Sequence, residues 1–457
     1  MATAATAQEG RYDLAQRLRD LEEAWDQTED ASARARAVPL LDRAVRAFFA
    51  LDVAQVAEYL DRARHALRGS EPPAASVRWS DSLAFRLRCR FVEVGAQQLD
   101  IQVQPLYQTD SERPQQASVR ITLGGRTYAE MPLGDPPLSL ALPLDGLAEG
   151  DHPLTTHVLV AGQAVTTRRT RLSLANELEA RLGRLRDSLP QGGGATTIEQ
   201  ATFAHLLSLL SDLAGGRTME TDIPAARLLA EAEQLAQTIA SGGRYYQHPR
   251  AGEFWLRVPV GTSWEVVRIF IPDGLSAEER VPVVFALHGA GGSENMFFDA
   301  YGAGITVKLC RDRGWVLVAT RAAGLLGFGA APRVVELLDA LAERYPLDVE
   351  RVYLIGHSMG AGHALAIAQR TPERFAGIAL LGGGGSLRRP ESVQALPMFV
   401  GVGQEDFAVR PARALYRELA RAKAARVEFK EYENVEHLLI VREAAADVFR
   451  FWEGGAR

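Results

Sequence analysis

The sequence predicts a multidomain chain that ends in a doubly wound α/β domain, preceded by an immunoglobulin-like β-sandwich with flanking α-helical segments. Three observations carry this expectation. The chain has 457 residues, more than one ordinary hydrophobic core organises. Short, nearly continuous apolar runs alternate with helix-compatible connections across residues 246–457, as strands buried on both faces of a mostly parallel sheet require. Across residues 76–172 the pattern is instead one of short strands broken by Gly, Pro, Asp and Asn, as in a β-sandwich.

The elements follow in order. Residues 1–70 read as helical, with Leu14, Leu18, Leu21 and Trp25, and then Val56, Leu60, Ala63 and Leu67, at helical spacing. Asp52 with Gln55 resembles a capping box, and Gly69 is placed to stop the second of these helices. SEPPAA then serves as a linker. LAFRLRCRFVEV, LDIQVQPLY, ASVRITLGG, LSLALPL and HPLTTHVLVAG supply the strands of the sandwich. Helical spacing returns over residues 173–245 with Leu174, Leu178, Leu182, Leu185 and Leu189, then Phe203, Leu206, Leu207 and Leu210, then Leu228, Leu235 and Ile239. This segment is expected to pack with residues 1–70. In residues 246–457, FWLRVPV and WEVVRIFIP read as an antiparallel opening pair. VPVVFAL, WVLVA, RVYLI, GIALL, PMFVGV and VEFKEY complete an eight-stranded sheet with helices on both faces.

Composition narrows the function. Apolar residues make up 47% and charged residues 24%, with a formal charge of −6, which suits a globular protein and gives no basic footprint for nucleic acid. Cys89 and Cys310 fall in different expected domains, so no disulfide framework is predicted. No apolar stretch is long enough to span a bilayer, and MATAATAQEGRYD lacks a basic region followed by an apolar one. A cytoplasmic protein is the expectation, or a secreted one if a native signal has been removed. No His, Cys, Asp and Glu cluster has metal-ligand spacing, so neither metal nor cofactor is expected.

The chemistry-bearing residues lie where strands of the last domain end. Gly356-His357-Ser358-Met359-Gly360 matches G-x-S-x-G directly after the strand RVYLI and before the helix-compatible AGHALAIAQR. That context is a nucleophile elbow, a tight turn that lifts a serine hydroxyl above the sheet. A serine needs a base. His437, beyond the last strand, fits this role, whereas His363 lies on the helix fed by the elbow. The acid is expected after PMFVGV, at Asp406, with Glu405 beside it as the alternative. Oxyanion donors are expected at the backbone N–H of Met359 and in the loop His288-Gly289-Ala290-Gly291-Gly292, with Ala290 first and Gly291 second. His288 is expected to brace this loop or border the pocket. Phe297, Phe298 and Tyr301 line a substrate pocket or belong to the core. Residues 324–330, GLLGFGA, read as a loop near the site. Gly382 and the three glycines after it lack the Lys-Ser/Thr of a phosphate-binding loop.

LHGAGGSENMF and RYPLDVERVYLIGHSMGAGHALAIAQRTPERFAGIALLGG resemble the α/β-hydrolase esterase family of feruloyl esterases, acetyl xylan esterases, polyhydroxybutyrate depolymerases and related predicted peptidases. Tyr345, Asp348 and Arg351 before the elbow carry much of the likeness, which covers residues 246–457. The resemblance implies Ser358, Asp406 and His437 as nucleophile, acid and base. The expected activity is hydrolysis of carboxylic esters, small or polymer-attached, through an acyl-enzyme. A serine peptidase or amidase on the same residues is the alternative, and a catalytically silent binding or scaffold protein is another. Homo-oligomerisation through the N-terminal helices or the sandwich is a further expectation.

Overall fold

The computed structural model describes residues 2–69, 71–189, 194–217, 220–322 and 331–454. The chain divides into two compact units, Met1–Gly193 with Phe203–Gly243, and Gly194–Thr202 with Arg244–Arg457.

The first unit opens with helices α1 (Ala2–Asp26), α2 (Ala31–Phe49), α3 (Val53–Leu67) and the short α4 (Ala75–Asp81). Their ends follow local chemistry. Asp52 accepts the Gln55 N–H at 3.0 Å, and the Gln55 side chain donates back to Asp52 at 2.9 Å, which closes the N-terminus of α3. Gly69 sits just past the other end at φ +75°, in the left-handed region that favours glycine.

Eight strands follow: β1 (Leu83–Leu87), β2 (Phe91–Glu93), β3 (Gln98–Pro105), β4 (Ala117–Leu123), β5 (Arg126–Pro132), β6 (Leu138–Pro143), β7 (Gly150–Val160) and β8 (Gln163–Ala175). They form a three-stranded sheet, β1-β3-β6, and a five-stranded sheet, β2-β8-β7-β4-β5. Alternate residues of β4 (Ala117, Val119, Ile121 and Leu123) are buried with Leu99, Ile101 and Val103 of β3 in one apolar cluster. The stretch LAFRLRCRFVEV is therefore two strands in two different sheets. Leu174 belongs to β8, and the helical segment begins only at α5 (Leu178–Asp187), ending before Leu189. Helices α6 (Ile198–Ala214) and α7 (Ala225–Ala240) follow, with the first turn of α6 grouped in the second unit.

A buried charge network joins α1, α3, the end of α4 and β8. Arg17 Nε donates to Asp61 at 2.8 Å, Arg64 to Asp81 at 2.7 Å, and Arg168 to Asp61 at 3.1 Å. The His65 ring meets the other oxygen of Asp81 at 2.6 Å. Each carboxylate is thus both paired and hydrogen-bonded, the condition under which buried charge is tolerated.

The second unit is built on strands β9 (Gly252–Val260), β10 (Ser263–Ile271), β11 (Val281–Leu287), β12 (Val316–Thr320), β13 (Leu347–His357), β14 (Gly377–Leu381), β15 (Met398–Gly403) and β16 (Val427–Tyr432). Their order is β16-β15-β14-β13-β11-β12-β10-β9. The pair β9–β10 is an antiparallel hairpin, β10 also runs antiparallel to β12, and the remaining pairs are parallel. Every residue of β12, β14 and β15 is buried, which explains their unbroken apolar sequences. Helices α8 (Ile305–Arg313), α9 (Val334–Ala342), α10 (Met359–Ala368), α11 (Val409–Arg421) and α12 (Ile440–Glu453) pack against this sheet. A buried ion pair ties the first turn of α6 to this unit, Glu199 meeting Arg344 at 2.6 Å. Among the described residues no helix is long and apolar enough to cross a membrane.

The strand order locates the functional end. Chain order reverses at β11, with β12 on one side and β13 on the other. Leu287 at the end of β11 is in register with Gly356 near the end of β13. The loops leaving these two strands therefore emerge side by side, at the topological switch point where such sheets bind ligands.

Candidate active site

Ser358 occupies the single step between β13 and α10, at φ +55° and ψ −116°. A non-glycine residue is held there only when its surroundings over-determine it, at a cost on the order of 1–3 kcal/mol. Those surroundings are visible. Ser358 N–H donates to Leu381 O of β14 at 2.8 Å. The flanking glycines have no room for a side chain: a Cβ on Gly356 would stand 2.2 Å from Gly360 O, and one on Gly360 2.0 Å from Leu287 O. The elbow is pressed against β11, and half-buried Ser358 remains at the surface of the turn.

Two further loops converge on the hydroxyl. His437 lies between β16 and α12, 5% exposed, with Nε2 2.9 Å from Ser358 Oγ. Its Nδ1 lies 3.0 and 3.1 Å from the two carboxylate oxygens of Asp406, which follows β15 and is 2% exposed. Asp406 is itself oriented, its Oδ1 accepting the Ala408 N–H at 2.8 Å. With the ring proton on Nδ1 facing the carboxylate, Nε2 is left as an acceptor for the serine hydroxyl. Glu405 is exposed and contributes only its N–H, to Val435 O, so the carboxylate that meets the imidazole is that of Asp406. His363 stands half-buried on α10, and the ring that meets Ser358 Oγ is that of His437.

The loop after β11 turns through Gly291 at φ +74°. His288 holds its start: Nε2 accepts the Ala322 N–H at 3.0 Å, so Nδ1 carries the proton and donates to Gly289 O at 2.7 Å. Ala290 and Gly291 remain half-buried beside the elbow loop. Met359 opens α10, so its N–H belongs to the first turn, which no intrahelical carbonyl precedes.

Phe297, Phe298 and Tyr301 are buried, at 0%, 5% and 3% exposure, and so support the loop from within. Phe297 packs edge-on against Tyr301 at 4.8 Å, and Phe298 lies under the Arg268 guanidinium at 4.5 Å. Residues 324–330 lie outside the described residues.

Three groups at the site have no signature in the sequence pattern. The Glu436 carboxylate is 1% exposed and accepts the N–H groups of Leu438 and Leu439, which fixes the turn carrying His437. Phe407 is 55% exposed with its ring 4.4 Å from that of His437. His357 lies on the inner side of the elbow, hydrogen-bonded to Tyr301 and to the backbone of His437.

A family model described as the alpha/beta hydrolase fold matches residues 327–437, a stretch that includes Ser358, Asp406 and His437. Among solved structures, a ferulic acid esterase is similar at 16% identity over 45% of this chain and 98% of that one, with a TM-score of 0.39. An S-formylglutathione hydrolase from Staphylococcus aureus is similar at 13% identity over 46% of this chain and 100% of that one, with a TM-score of 0.37. A thermostable esterase is similar at 14% identity over 81% of this chain and 99% of that one, with a TM-score of 0.40. Comparison with curated proteins gives no match. On the family match and the strand order together, the C-terminal region of this chain has the α/β-hydrolase fold.

Proposed function

We propose that the second unit is a serine esterase that cleaves carboxylic esters, small or polymer-attached, through an acyl-enzyme. The observation that carries the reading is the continuous chain from Ser358 Oγ through His437 to Asp406, at 2.9 and 3.0 Å. His437 Nε2 takes the hydroxyl proton as Ser358 Oγ bonds to the ester carbonyl carbon. The carbonyl oxygen becomes an oxyanion and accepts from the N–H groups of Met359 and Ala290, with Gly291 as the second choice in the loop. Asp406 stabilises the imidazolium. The tetrahedral species collapses, the C–O bond to the alcohol breaks, and His437 gives its proton to the leaving oxygen. Water then repeats the sequence on the acyl-enzyme, its proton passing through His437 back to Ser358. No cofactor enters the scheme.

For the first unit we infer an immunoglobulin-like sandwich with flanking helices, supported by the apolar cluster common to its two sheets. A structural role for it is the expectation, its buried carboxylates Asp61 and Asp81 each meeting an arginine.

The test is labelling of the full chain with a fluorophosphonate probe beside Ser358→Ala. Labelling of the wild type alone, followed by turnover of p-nitrophenyl acetate, supports the esterase. A folded wild type that does not label overturns it, and faster cleavage of a matched amide than of the ester would assign an amidase instead. Loss of Ser358 or His437 should lower turnover by about four to six orders of magnitude.

A further inference from the structure

His357 directly precedes the proposed nucleophile, yet its side chain turns away from the substrate side and is 4% exposed. Its Nε2 lies 2.9 Å from the carbonyl oxygen of His437, and its Nδ1 lies 2.8 Å from the Tyr301 hydroxyl. The same hydroxyl receives the Gly289 N–H at 3.1 Å. The connection after β11, which holds Gly289 and Tyr301, the elbow at His357 and the turn that carries the base thus meet in one buried chain.

The donors and acceptors in this chain have only one consistent order. A carbonyl oxygen can only accept, so His357 Nε2 carries the proton and donates to His437 O. A neutral ring then accepts at Nδ1, which makes Tyr301 the donor there, and the phenol oxygen accepts the Gly289 N–H. Neutrality follows from the surroundings. Burial first, then the neighbouring His437 and His288, hold the His357 pKa well below the ordinary histidine value. The fit is tight as well as directional. A Cβ on Gly289 would stand 2.8 Å from His357 Nδ1 and 3.3 Å from the Tyr301 oxygen.

We propose that Tyr301 and His357 are positioning residues, a buried hydrogen-bond relay that joins the oxyanion loop at Gly289 to the backbone of His437. This rests on the esterase reading above and adds to it a reason why the two halves of the machinery stay in register. Acyl transfer needs the base and the oxyanion donors placed together around one carbonyl, and a displacement of about 1 Å in such a site costs on the order of 100-fold in rate. Ser358 is held by the elbow itself. The oxyanion loop and the His437 turn leave different strands, central β11 and edge strand β16, with β15, β14 and β13 between them. Direct strand pairing does not connect them, and the relay does.

The experiment uses the full chain with Tyr301→Phe, His357→Leu, the double variant and His357→Gln. Tyr301→Phe keeps the ring packed on Phe297 and removes only the hydroxyl. Each of the first two should lower kcat on p-nitrophenyl acetate by about 10- to 100-fold with KM within about threefold. The double variant should be no slower than the slower single, because one relay is broken only once. His357→Gln, whose amide both accepts and donates, should recover part of the rate. Losses that add in the double variant, or a Tyr301→Phe rate equal to wild type, would overturn the proposal while leaving the esterase intact. If wild type fails to label at Ser358, the esterase reading falls. The far-downfield imidazole N–H resonance of His437, read in the histidine-labelled chain, then decides. Its broadening in Tyr301→Phe keeps the positioning role, and an unchanged resonance ends it.

Discussion

Replacing Asp406 by Asn tests the proposed acid with almost no change of shape. The carboxylate lies 3.0 Å from His437 Nδ1 and is buried. In the proposed transition state the ring is an imidazolium, so two unit charges face each other at that distance. With an effective dielectric of about 20 their attraction is roughly 5 kcal/mol, which the neutral amide forfeits. At about 1.4 kcal/mol per tenfold, and allowing for the weaker bond retained by the amide, kcat/KM should fall by about three to four orders of magnitude. A second effect acts in the same direction. Asp406 Oδ1 is engaged by the Ala408 N–H at 2.8 Å, so the amide oxygen is drawn to that position. The amide nitrogen then takes the place of Oδ2, 3.1 Å from Nδ1, where it competes with the oxygen at 3.0 Å and shifts the ring towards the tautomer with its proton facing Ser358. The assay is kcat/KM on p-nitrophenyl acetate, with thermal melting and circular dichroism to establish folding. A folded Asp406→Asn protein within about tenfold of wild type would refute both the charge argument and the role assigned to the residue.

Three further outcomes follow from the packing. Arg168→Met removes the cation that Asp61 and Asp81 share at 3.1 and 3.5 Å, and urea denaturation should show a loss of about 3–5 kcal/mol; under about 1 kcal/mol would mean that water already serves these carboxylates. Burial opposes ionisation of Asp81, but Arg64, the His65 hydrogen bond and Arg168 outweigh it and hold the carboxyl well below its ordinary range. A folded pKa below the unfolded one means that this stabilisation is complete above the unfolded Asp value of about 3.9 and is lost as pH falls towards the folded value. Denaturant midpoints taken at descending pH should therefore drop more steeply below about pH 4 in wild type than in Asp81→Asn, and parallel curves would reject the linkage. Gly360→Ala, whose Cβ would meet Leu287 O at 2.0 Å, should abolish soluble folded protein or probe labelling. Gly362→Ala, on the same helix with nothing nearer than 4.0 Å, should be tolerated or stabilising by about 0.5–1 kcal/mol; equal effects of the two would contradict the close approach of elbow and β11.

The strands of the second unit were legible because the central ones, β12, β14 and β15, are buried along their whole length and most others along much of it. An all-apolar run such as GIALL has one comfortable environment, and all eight expected runs are strands. The first unit was read less fully where side chains face water or charge. RTYAEMP forms β5 with a mostly exposed pattern, so no apolar alternation announces it. QAVTTRRTRLSLA forms thirteen residues of β8 although Arg168 points into the buried charge network, where an arginine is indistinguishable by sequence from a solvated one. Leu174 fits a helical spacing with Leu178 only because two elements happen to abut there. The division of LAFRLRCRFVEV between two sheets depends on tertiary pairing, with β1 against β3 and β2 against β8, and no local propensity encodes it.

The candidate site divides along a similar line. That Ser358, Asp406 and His437 would meet could be read because their order and strand context follow from chemistry: the proposed nucleophile on a strained turn, then the proposed acid and base on later loops of the same edge. Tyr301 could be named but its task could not, and His357 passed as the variable residue of the elbow. Their partners are the Gly289 N–H and the His437 carbonyl, groups that every residue offers and no sequence distinguishes. Side-chain-to-side-chain chemistry leaves residue types at telling intervals, whereas side-chain-to-backbone support leaves only one member of each pair to read. Glu436 makes the same point, since its carboxylate acts on the N–H groups of Leu438 and Leu439 and so looks, in the sequence, like one more charged residue before a helix. The support of a catalytic constellation is thus systematically harder to read than its reacting atoms, and it is there that the relay from Gly289 to His437 makes its own, separately measurable claim.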